Sequence, residues 1–269
     1  MPRSSYSHVL VDLDGCVHVS RTVLPGVAAA LDAVRRSGVQ VGFVTNDVVH
    51  ARADYVDLLG PQGLEISADE VITAAWAVAQ LVAHRQPGAR VLCVGSPAFR
   101  EEHVLAGLRV VEDPRKAEAV SVGGDDSLDV EQMRAAVRGV LLAGAALYGA
   151  NADRTYPAAG GPAPGTGALV ASLEYATATR ATFAGKPEPA MFDEAFERFG
   201  PGRYLMCGDR LDSDVAGAAA AGIDSVLVLT GVTDRAGLAA WTGPPPTYVR
   251  RSLADLPALL ASAIALRTV

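Results

Sequence analysis

Short apolar runs alternate with segments of helical periodicity along the whole chain. The apolar run His8–Asp12 enters an acidic loop, and Pro25–Ser37 then has apolar residues at helical spacing and stops before Gly38. Glycine at this place suits a helix C-cap. A strand, a helix and another strand, repeated from end to end, predict an α/β protein with parallel sheets.

The same reading predicts the remaining elements. The predicted strands are His8–Asp12, Val39–Val44, Arg90–Val94, Ala119–Val122, Ala146–Gly149, Ala181–Gly185, Tyr204–Cys207 and Ser225–Leu229. The predicted helices are Pro25–Ser37, Asp54–Leu59, Ala68–His84, Pro97–Leu105, Leu128–Leu142, one that ends near Thr177, Glu188–Phe199, Asp214–Ala221 and Leu253–Leu266. Between two of them, Tyr156–Gly167 is rich in glycine and proline and is expected to be a loop.

The strands and helices fall into three series, with boundaries near Pro87 and near Arg180. The simplest organisation is a discontinuous core, residues 1–86 and 180–269, with an α/β domain of residues 87–179 inserted into it. The predicted fold class is therefore a doubly wound, Rossmann-like parallel-sheet core with an inserted α/β domain.

Four predicted strands stop at polar, reactive residues. These residues are Asp12 and Asp14 after the first strand, Thr45 and Asn46 after the second, Lys186 after the sixth, and Asp209 with Asp214 after the seventh. Singly, such residues often only mark turns between strands and helices. Because open parallel sheets bind ligands at the carboxyl ends of their strands, the ordered set predicts one crevice that gathers all of them.

At these motifs the chain resembles the haloacid dehalogenase superfamily of phosphatases, subfamily IIA, the NagD-like or 4-nitrophenylphosphatase-type enzymes. Asp12-Leu13-Asp14-Gly15 is similar to its first motif and Phe43-Val44-Thr45-Asn46 to its second. Gly185-Lys186-Pro187 is similar to the third motif, and Gly208–Asp214 to the fourth. The resemblance covers nearly the whole chain, including an insertion of cap size between the second and third motifs.

The resemblance implies a Mg²⁺-dependent phosphomonoesterase that acts on a small phosphorylated metabolite, such as a sugar or polyol phosphate. It assigns the metal to Asp12, the backbone carbonyl of Asp14, and Asp209. It gives Asp214 an outer role, holding a water on the metal or orienting Lys186. It also implies self-association through the cap, so that a homodimer is expected.

The residue types fit that chemistry. A carboxylate such as Asp12 can attack phosphorus and form an aspartyl-phosphate intermediate, which splits one difficult step into two. Asp14 suits a general acid that protonates the leaving oxygen and then a base that activates water. Asp12, Asp14, Thr45, Asn46 and Lys186 are the expected contacts of the substrate phosphate. Only two of the 23 basic residues are lysines, so that retention of Lys186 fits a need for its compact ammonium.

Composition narrows the classes of partner. The net charge of −7 without a basic block argues against nucleic acid as a partner. Three distant cysteines support neither a disulfide framework nor a zinc site. The first residues hold no long apolar stretch before Asp12, so that a signal peptide is not expected there. The longest nonpolar run, Gly139–Ala150, is shorter than the roughly 18 residues of a membrane span. No membrane association and a cytoplasmic location are therefore expected.

Two alternatives stay open from sequence, a phosphotransferase or mutase of the same superfamily and a non-catalytic phosphate-binding relative. Asp47-Val48 departs from the Asn or Ser usual in the subfamily, which suggests a bias against strongly anionic leaving groups. His18 and His50 are expected to be solvated loop residues, and Cys16 a small packed side chain.

Overall fold

A computed structural model describes residues 6–124, 128–158 and 160–265. Within these ranges the chain forms two compact units. The first unit takes its residues from 1–45, 52–72 and 192–269, and the second from 46–51 and 73–191. In the part of the chain so described, every helix is too short or too polar to cross a membrane.

The strands, in chain order, are β1 His8–Val11, β2 His18–Val19, β3 Thr22–Val23, β4 Gln40–Thr45, β5 Val71–Thr73, β6 Arg90–Gly95, β7 Arg109–Val110, β8 Ala119–Gly124, β9 Ala146–Gly149, β10 Thr155–Ala158, β11 Gly161–Pro164, β12 Thr182–Phe183, β13 Tyr204–Gly208, β14 Asp224–Val228 and β15 Tyr248–Arg250. The α-helices are α1 Val27–Arg36, α2 Arg52–Leu59, α3 Ala74–Arg85, α4 Pro97–Leu105, α5 Val130–Ala143, α6 Thr166–Thr177, α7 Pro189–Phe199, α8 Ala216–Ala220, α9 Arg235–Ala240 and α10 Leu256–Ala265.

The first unit is built on a six-stranded sheet in the order β15-β14-β13-β1-β4-β5. β1 is parallel to both of its neighbours, so that Val11 lies beside Phe43 on one side and beside Cys207 on the other. The next strand of this sheet along the chain, β4, lies on one side of β1, and the later strand β13 lies on the other, so that the carboxyl end of β1 is a topological switch point. All four residues of β1 are buried, as expected for a central strand covered on both faces.

The second unit has its own five-stranded sheet in the order β12-β9-β8-β6-β7, with parallel pairing throughout. Its core includes Leu92, Val120, Leu147, Val170 and Leu173. Compared with the predicted insertion of residues 87–179, this unit also takes in α3 and β12. The reason is physical contact, because α3 packs on α4 and on two strands of this sheet and β12 pairs with β9.

The predicted α/β class is confirmed, and most strands and helices lie where the pattern places them. The predicted helix over Ala68–His84 is wrong in its first turns. Ser67 and Glu70 do form the capping box, but it begins a 3₁₀ turn followed by β5, and α3 starts only at Ala74. Val71–Thr73 is short, buried and β-branched, so that sheet pairing prevails over helical spacing there.

Other elements were missed because they are short. Tyr156–Gly167 is not an irregular loop but contains the antiparallel pair β10 and β11. The predicted helix from Asp214 starts instead as a π-helical turn at Leu211–Val215, and the edge strand β15 was not foreseen. The strand before Lys186 lies in the second sheet, so that only three of the four motif-bearing strands share the first sheet.

His103 on α4 is a fully buried imidazole in the second unit. Its Nδ1 lies 2.8 Å from the carbonyl oxygen of Phe99 and must donate, so that Nε2 accepts from the Ser121 hydroxyl at 2.9 Å. Burial lowers the pKa of His103 to about 4. The native state therefore holds this histidine neutral at physiological pH.

Because of His103, the free energy of unfolding should decrease as the pH is lowered. His103 binds a proton in the unfolded chain near pH 6.5 but in the folded chain only near pH 4. Its contribution is complete above pH 6.5 and is lost as pH falls toward 4, by about 3 kcal/mol in total. Urea unfolding of the wild type and of His103→Gln between pH 4.5 and 7.5 measures this contribution. If the free energy of unfolding of the variant depends on pH as steeply as that of the wild type, His103 is not the group responsible.

Candidate active site

Three buried carboxylates of the first unit converge at the carboxyl ends of β1 and β13. Asp12 directly follows β1, Asp209 directly follows β13, and Asp214 lies in the π-helical turn beyond it. Each offers an oxygen within 4.8 Å of the others. The Asp12 amide donates to the Cys207 carbonyl at 2.8 Å, which continues the strand pairing by one residue and fixes where the Asp12 side chain starts.

The carboxylates of Asp209 and Asp214 are oriented by backbone amides. Asp209 Oδ2 accepts from the amide of Val232 at 2.5 Å, and Asp214 Oδ2 accepts from the amide of Arg210 at 3.0 Å. Hydrogen bonds of this kind hold a carboxylate in one rotamer. The loop after β14 and the start of the π-helical turn thus preorganise the cluster.

Glycines leave the space that these carboxylates occupy. Gly15 has a φ of 76°, in the left-handed region, and a Cβ there would lie 2.5 Å from Asp209 Oδ2. A Cβ at Gly231 would overlap the same carboxylate, and one at Gly208 would overlap Asp214. Three glycines, two in loops and one at the end of β13, are therefore required for the cluster to form, because any side chain would displace an acidic group.

The donor set fits a hard divalent cation. Asp12, Asp209 and Asp214 are at most 7% exposed, so that water screens their mutual repulsion poorly. Carboxylate oxygens are the ligands that Mg²⁺ prefers, commonly one or two of them together with waters and a substrate phosphate. A cation held by these oxygens would offset the repulsion that the fold imposes on them.

The cluster imposes a negative potential on its surroundings. Cys16 is fully buried, and its thiol lies 3.8 Å from the Cys207 carbonyl. Burial first, then the neighbouring Cys207 and the three carboxylates, raise the pKa of the Cys16 thiol well above its usual value. Cys16 is thus an inert packed side chain, as expected from sequence.

Thr45 and Asp14 extend this end of the first sheet. Thr45 is the last residue of β4 and is buried, and β4 lies beside β1. Asp14 lies two residues beyond Asp12 and its side chain is 69% exposed, with one oxygen 3.6 Å from His18 Nδ1. Its carboxylate is therefore accessible to water, unlike the three of the cluster.

The expectation that His18 is solvated is wrong, since this side chain is only 5% exposed and its ring lies near that of Tyr55.

Asn46 and Lys186 belong to the second unit. Asn46 Nδ2 donates to the Lys186 carbonyl at 2.9 Å and to Asp153 Oδ2 at 3.1 Å, so that the second and third motifs are tied together within this unit. Asn151 Nδ2 donates in turn to the Asn46 carbonyl at 2.7 Å. The Lys186 side chain is buried. These contacts fix the backbone from which Lys186 extends.

Asn151 and Asp153 were missed in the sequence reading, although a signal for them is present. Asn151-Ala152-Asp153 follows β9, as the other polar motifs follow their strands. Asp47, whose effect was left open, caps its own turn by accepting from the amide of Val49 at 2.8 Å, and it lies 2.8 Å from His50 Nδ1.

Comparison with known proteins places the fold and this geometry in a family. The family described as haloacid dehalogenase-like hydrolase matches residues 9–109, and the one described as HAD-hydrolase-like matches residues 183–256. These two segments carry Asp12, Thr45, Lys186, Asp209 and Asp214. The chain belongs to the haloacid dehalogenase-like hydrolase family. The predicted superfamily is thereby confirmed.

Relatives of this haloacid dehalogenase-like hydrolase are named as phosphatases. D-glycerol 3-phosphate phosphatase of Mycobacterium tuberculosis is 38% identical over 92% of this chain and 70% of its own. The solved p-nitrophenyl phosphatase from Archaeoglobus fulgidus is 33% identical with a TM-score of 0.89, over 95% of this chain and 99% of its own. Glycerol phosphate phosphatase from Mycobacterium tuberculosis, solved with magnesium, is 35% identical with a TM-score of 0.87, over 97% of this chain and 80% of its own.

Divalent cations should stabilise the folded protein through the carboxylate cluster. A ligand that binds only the native state raises the melting temperature, and Mg²⁺ at about 100 times its Kd would add about 2.7 kcal/mol. We expect a melting shift with Mg²⁺ in the wild type and the loss of most of it in Asp209→Asn.

The control for this shift is Asp57→Asn, which removes an exposed carboxylate on α2 of the same unit. It should keep the full response to Mg²⁺. Equal shifts in Asp209→Asn and Asp57→Asn would show that the cation binds elsewhere.

Proposed function

We propose that this haloacid dehalogenase-like hydrolase is a Mg²⁺-dependent phosphomonoesterase that hydrolyses a small phosphorylated metabolite through an aspartyl-phosphate on Asp12. The observation that carries the proposal is the convergence of three buried carboxylates at the switch point of the first sheet. The phosphatase names of the relatives, one of them solved with magnesium, support it.

In the first half-reaction Asp12 is the nucleophile. A carboxylate oxygen of Asp12 forms a bond to phosphorus while the bond from phosphorus to the leaving oxygen breaks. Asp14, in its protonated form, gives its proton to that oxygen so that an alcohol departs. The exposure of the Asp14 side chain suits this role, because the alcohol leaves toward solvent.

In the second half-reaction the aspartyl-phosphate is hydrolysed. Asp14, now ionised, removes a proton from water, and the water oxygen attacks phosphorus. The bond between phosphorus and the Asp12 oxygen breaks, which releases inorganic phosphate and restores both residues. Asp14 thus acts as acid and then as base in one cycle.

Positive charge must offset the meeting of two anions. Asp12, Asp209 and the Asp14 carbonyl, with Asp214 beside them, would hold Mg²⁺, and the bound ion would supply positive charge that offsets the charge of the phosphoryl oxygens. Lys186 is proposed as the fixed cation of the site, and the Thr45 hydroxyl and Asn46 as further contacts of the phosphoryl group. Burial of Lys186 and Thr45 supports a preorganised arrangement, since buried polar groups are held in defined positions.

The wider setting belongs to the same proposal. A phosphorylated small metabolite as substrate and three buried free thiols are in keeping with a cytoplasmic enzyme. The homodimer through the cap that the resemblance implied stays a prediction. A phosphotransferase or mutase would use the same nucleophile but would release little phosphate without an acceptor, and the assay below separates it from a hydrolase.

Loss of the nucleophile should abolish hydrolysis. A panel of phosphorylated metabolites with Mg²⁺, assayed by phosphate release, should give turnover with the wild type. Asp12→Asn should reduce it by about a thousandfold or more, because the carboxylate that attacks phosphorus is gone. Asp57→Asn again serves as the matched control. Undiminished release by Asp12→Asn would refute the proposed mechanism.

Replacement of Asp14, the proposed acid and base, should make the aspartyl-phosphate accumulate. With 4-nitrophenyl phosphate the leaving group needs little protonation, so that Asp14→Asn should still form the aspartyl-phosphate while its hydrolysis slows by roughly 10²–10⁴-fold. Mass spectrometry of acid-quenched Asp14→Asn should then show one added phosphoryl group. Slow turnover without such a species would assign Asp14 to another role.

A further inference from the structure

Residues 230–233 lie in the connection between β14 and α9 of the first unit. None of these four residues is acidic, so that the 230–233 segment supplies no carboxylate to the cluster. It nevertheless contacts both of the loops from which the carboxylates extend, the loop after β1 and the loop after β13. The segment is thus a candidate support for the proposed metal site.

The first of these contacts is with the residue that follows β13. The amide of Val232 donates to Asp209 Oδ2 at 2.5 Å, and the amide of Thr233 donates to the Asp209 carbonyl at 3.2 Å. Asp209 is therefore held at its side chain and at its backbone by two successive amides. A carboxylate held from two points presents its free oxygen in a defined direction.

The second contact is with the loop after β1. The Thr230 hydroxyl donates to the Gly15 carbonyl at 2.6 Å, and the Gly15 amide donates to the His18 carbonyl at 2.8 Å. The backbones of Gly15 and Gly231 also touch, since a Cβ on Gly231 would lie 2.8 Å from the Gly15 Cα. Both hydrogen-bonding groups of the Gly15 backbone are thus engaged, and Thr230 supplies one of the two partners.

The restraint on Gly15 extends to Asp14, whose carbonyl is a proposed metal ligand. Asp14 and Gly15 share one peptide unit, and because this unit is planar the Asp14 carbonyl points opposite to the Gly15 amide hydrogen. Gly15 has a φ of 76°, and glycine has more backbone freedom than any other residue. Hydrogen bonds that fix Gly15 at its amide and at its carbonyl therefore fix the direction of the Asp14 carbonyl.

The 230–233 segment is itself anchored at both ends. The Leu229 amide donates to the Arg250 carbonyl at 3.1 Å, which continues the pairing of β14 with β15. The Leu229 side chain packs against the small core that includes Leu211 of the π-helical turn. At the other end Asp234 caps α9 by accepting from the Gly237 amide at 2.7 Å. A support can restrain its neighbours only if it is fixed, and these contacts meet that condition.

We propose that Thr230 is a positioning residue of the metal site, and that its hydroxyl raises the affinity for Mg²⁺ by holding Gly15 and, through it, the Asp14 carbonyl. The inference rests on the Mg²⁺ site of the proposed function. Thr230 acts on the ion only through these two residues. Hydrogen bonds in the outer shell of a metal site commonly change metal affinity by roughly 10- to 100-fold.

The test measures the Kd of Mg²⁺ from the melting temperature of the substrate-free protein as the Mg²⁺ concentration is raised. Thr230→Val keeps the size of the side chain and removes the hydroxyl, and we expect it to raise the Kd by about tenfold. Thr230→Ser keeps a donor to the Gly15 carbonyl and should bind Mg²⁺ within about twofold of the wild type. If Thr230→Val does not fold, Thr230→Ala removes the same hydroxyl and allows the same comparison.

The matched control is Thr177→Val in α6 of the second unit. The Thr177 hydroxyl donates to the Leu173 carbonyl at 2.7 Å, so that the same substitution removes the same kind of hydrogen bond away from the cluster residues. This variant should keep the Kd of the wild type even if its melting temperature without Mg²⁺ is lower. A loss of stability alone is thereby separated from a loss of metal affinity.

The outcomes distinguish this inference from the proposed function. An unchanged Kd in Thr230→Val, or equally weakened binding in Thr230→Val and Thr230→Ser, would overturn the role of the Thr230 hydroxyl; the metal site itself would stand as long as Asp209→Asn still weakens binding. Equal responses of the wild type and Asp209→Asn to Mg²⁺ would instead refute the metal site on which the inference rests.

Discussion

Three carboxylates that the fold holds within 4.8 Å of one another, away from water, must be compensated by positive charge. Much of the first unit is arranged to hold them there. Parallel pairing of β1 with β13 brings Asp12 beside the end of the strand that leads to Asp209. Backbone amides orient Asp209 and Asp214, and three glycines leave room for their carboxylates. Such a cluster costs stability in the absence of a cation, which is typical of a functional site.

The polar residues that follow strands could be predicted because their positions depend only on the nearby pattern of apolar and polar residues. An apolar run that ends in Asp12, or in Thr45, marks the carboxyl end of a parallel strand wherever that strand lies. The order of the sheet, in contrast, depends on contacts between distant segments. The strand before Lys186 therefore has the expected place in the sequence but pairs with β9 in the second sheet.

The pattern of hydrophobic and polar residues also did not predict the short strands or the burial of some polar side chains. Val71–Thr73 forms a buried edge strand within a stretch of helical spacing, and a two-residue strand buries His18 although it is polar. Asp47 was noticed only as a departure from a motif. Asn151 and Asp153 follow β9 as the other polar residues follow their strands, but their contacts with Asn46 depend on how the second unit folds.

The division into two units separates the two tasks of the proposed enzyme. The first unit contains the proposed nucleophile and the proposed metal ligands, and it is recognisable from its motifs. The second contains Lys186 and Asn46, which are proposed contacts of the phosphoryl group. Members of one family can share a reaction while they differ in the metabolite on which they act.

A crystal structure of the protein with Mg²⁺ and trifluoroberyllate, an analogue of the aspartyl-phosphate, tests the central claim most directly. The account predicts beryllium bonded to a carboxylate oxygen of Asp12, a cation on Asp12 and Asp209, and the Lys186 ammonium within hydrogen-bond distance of a fluorine. Beryllium on another residue, or a cation away from these carboxylates, would contradict it.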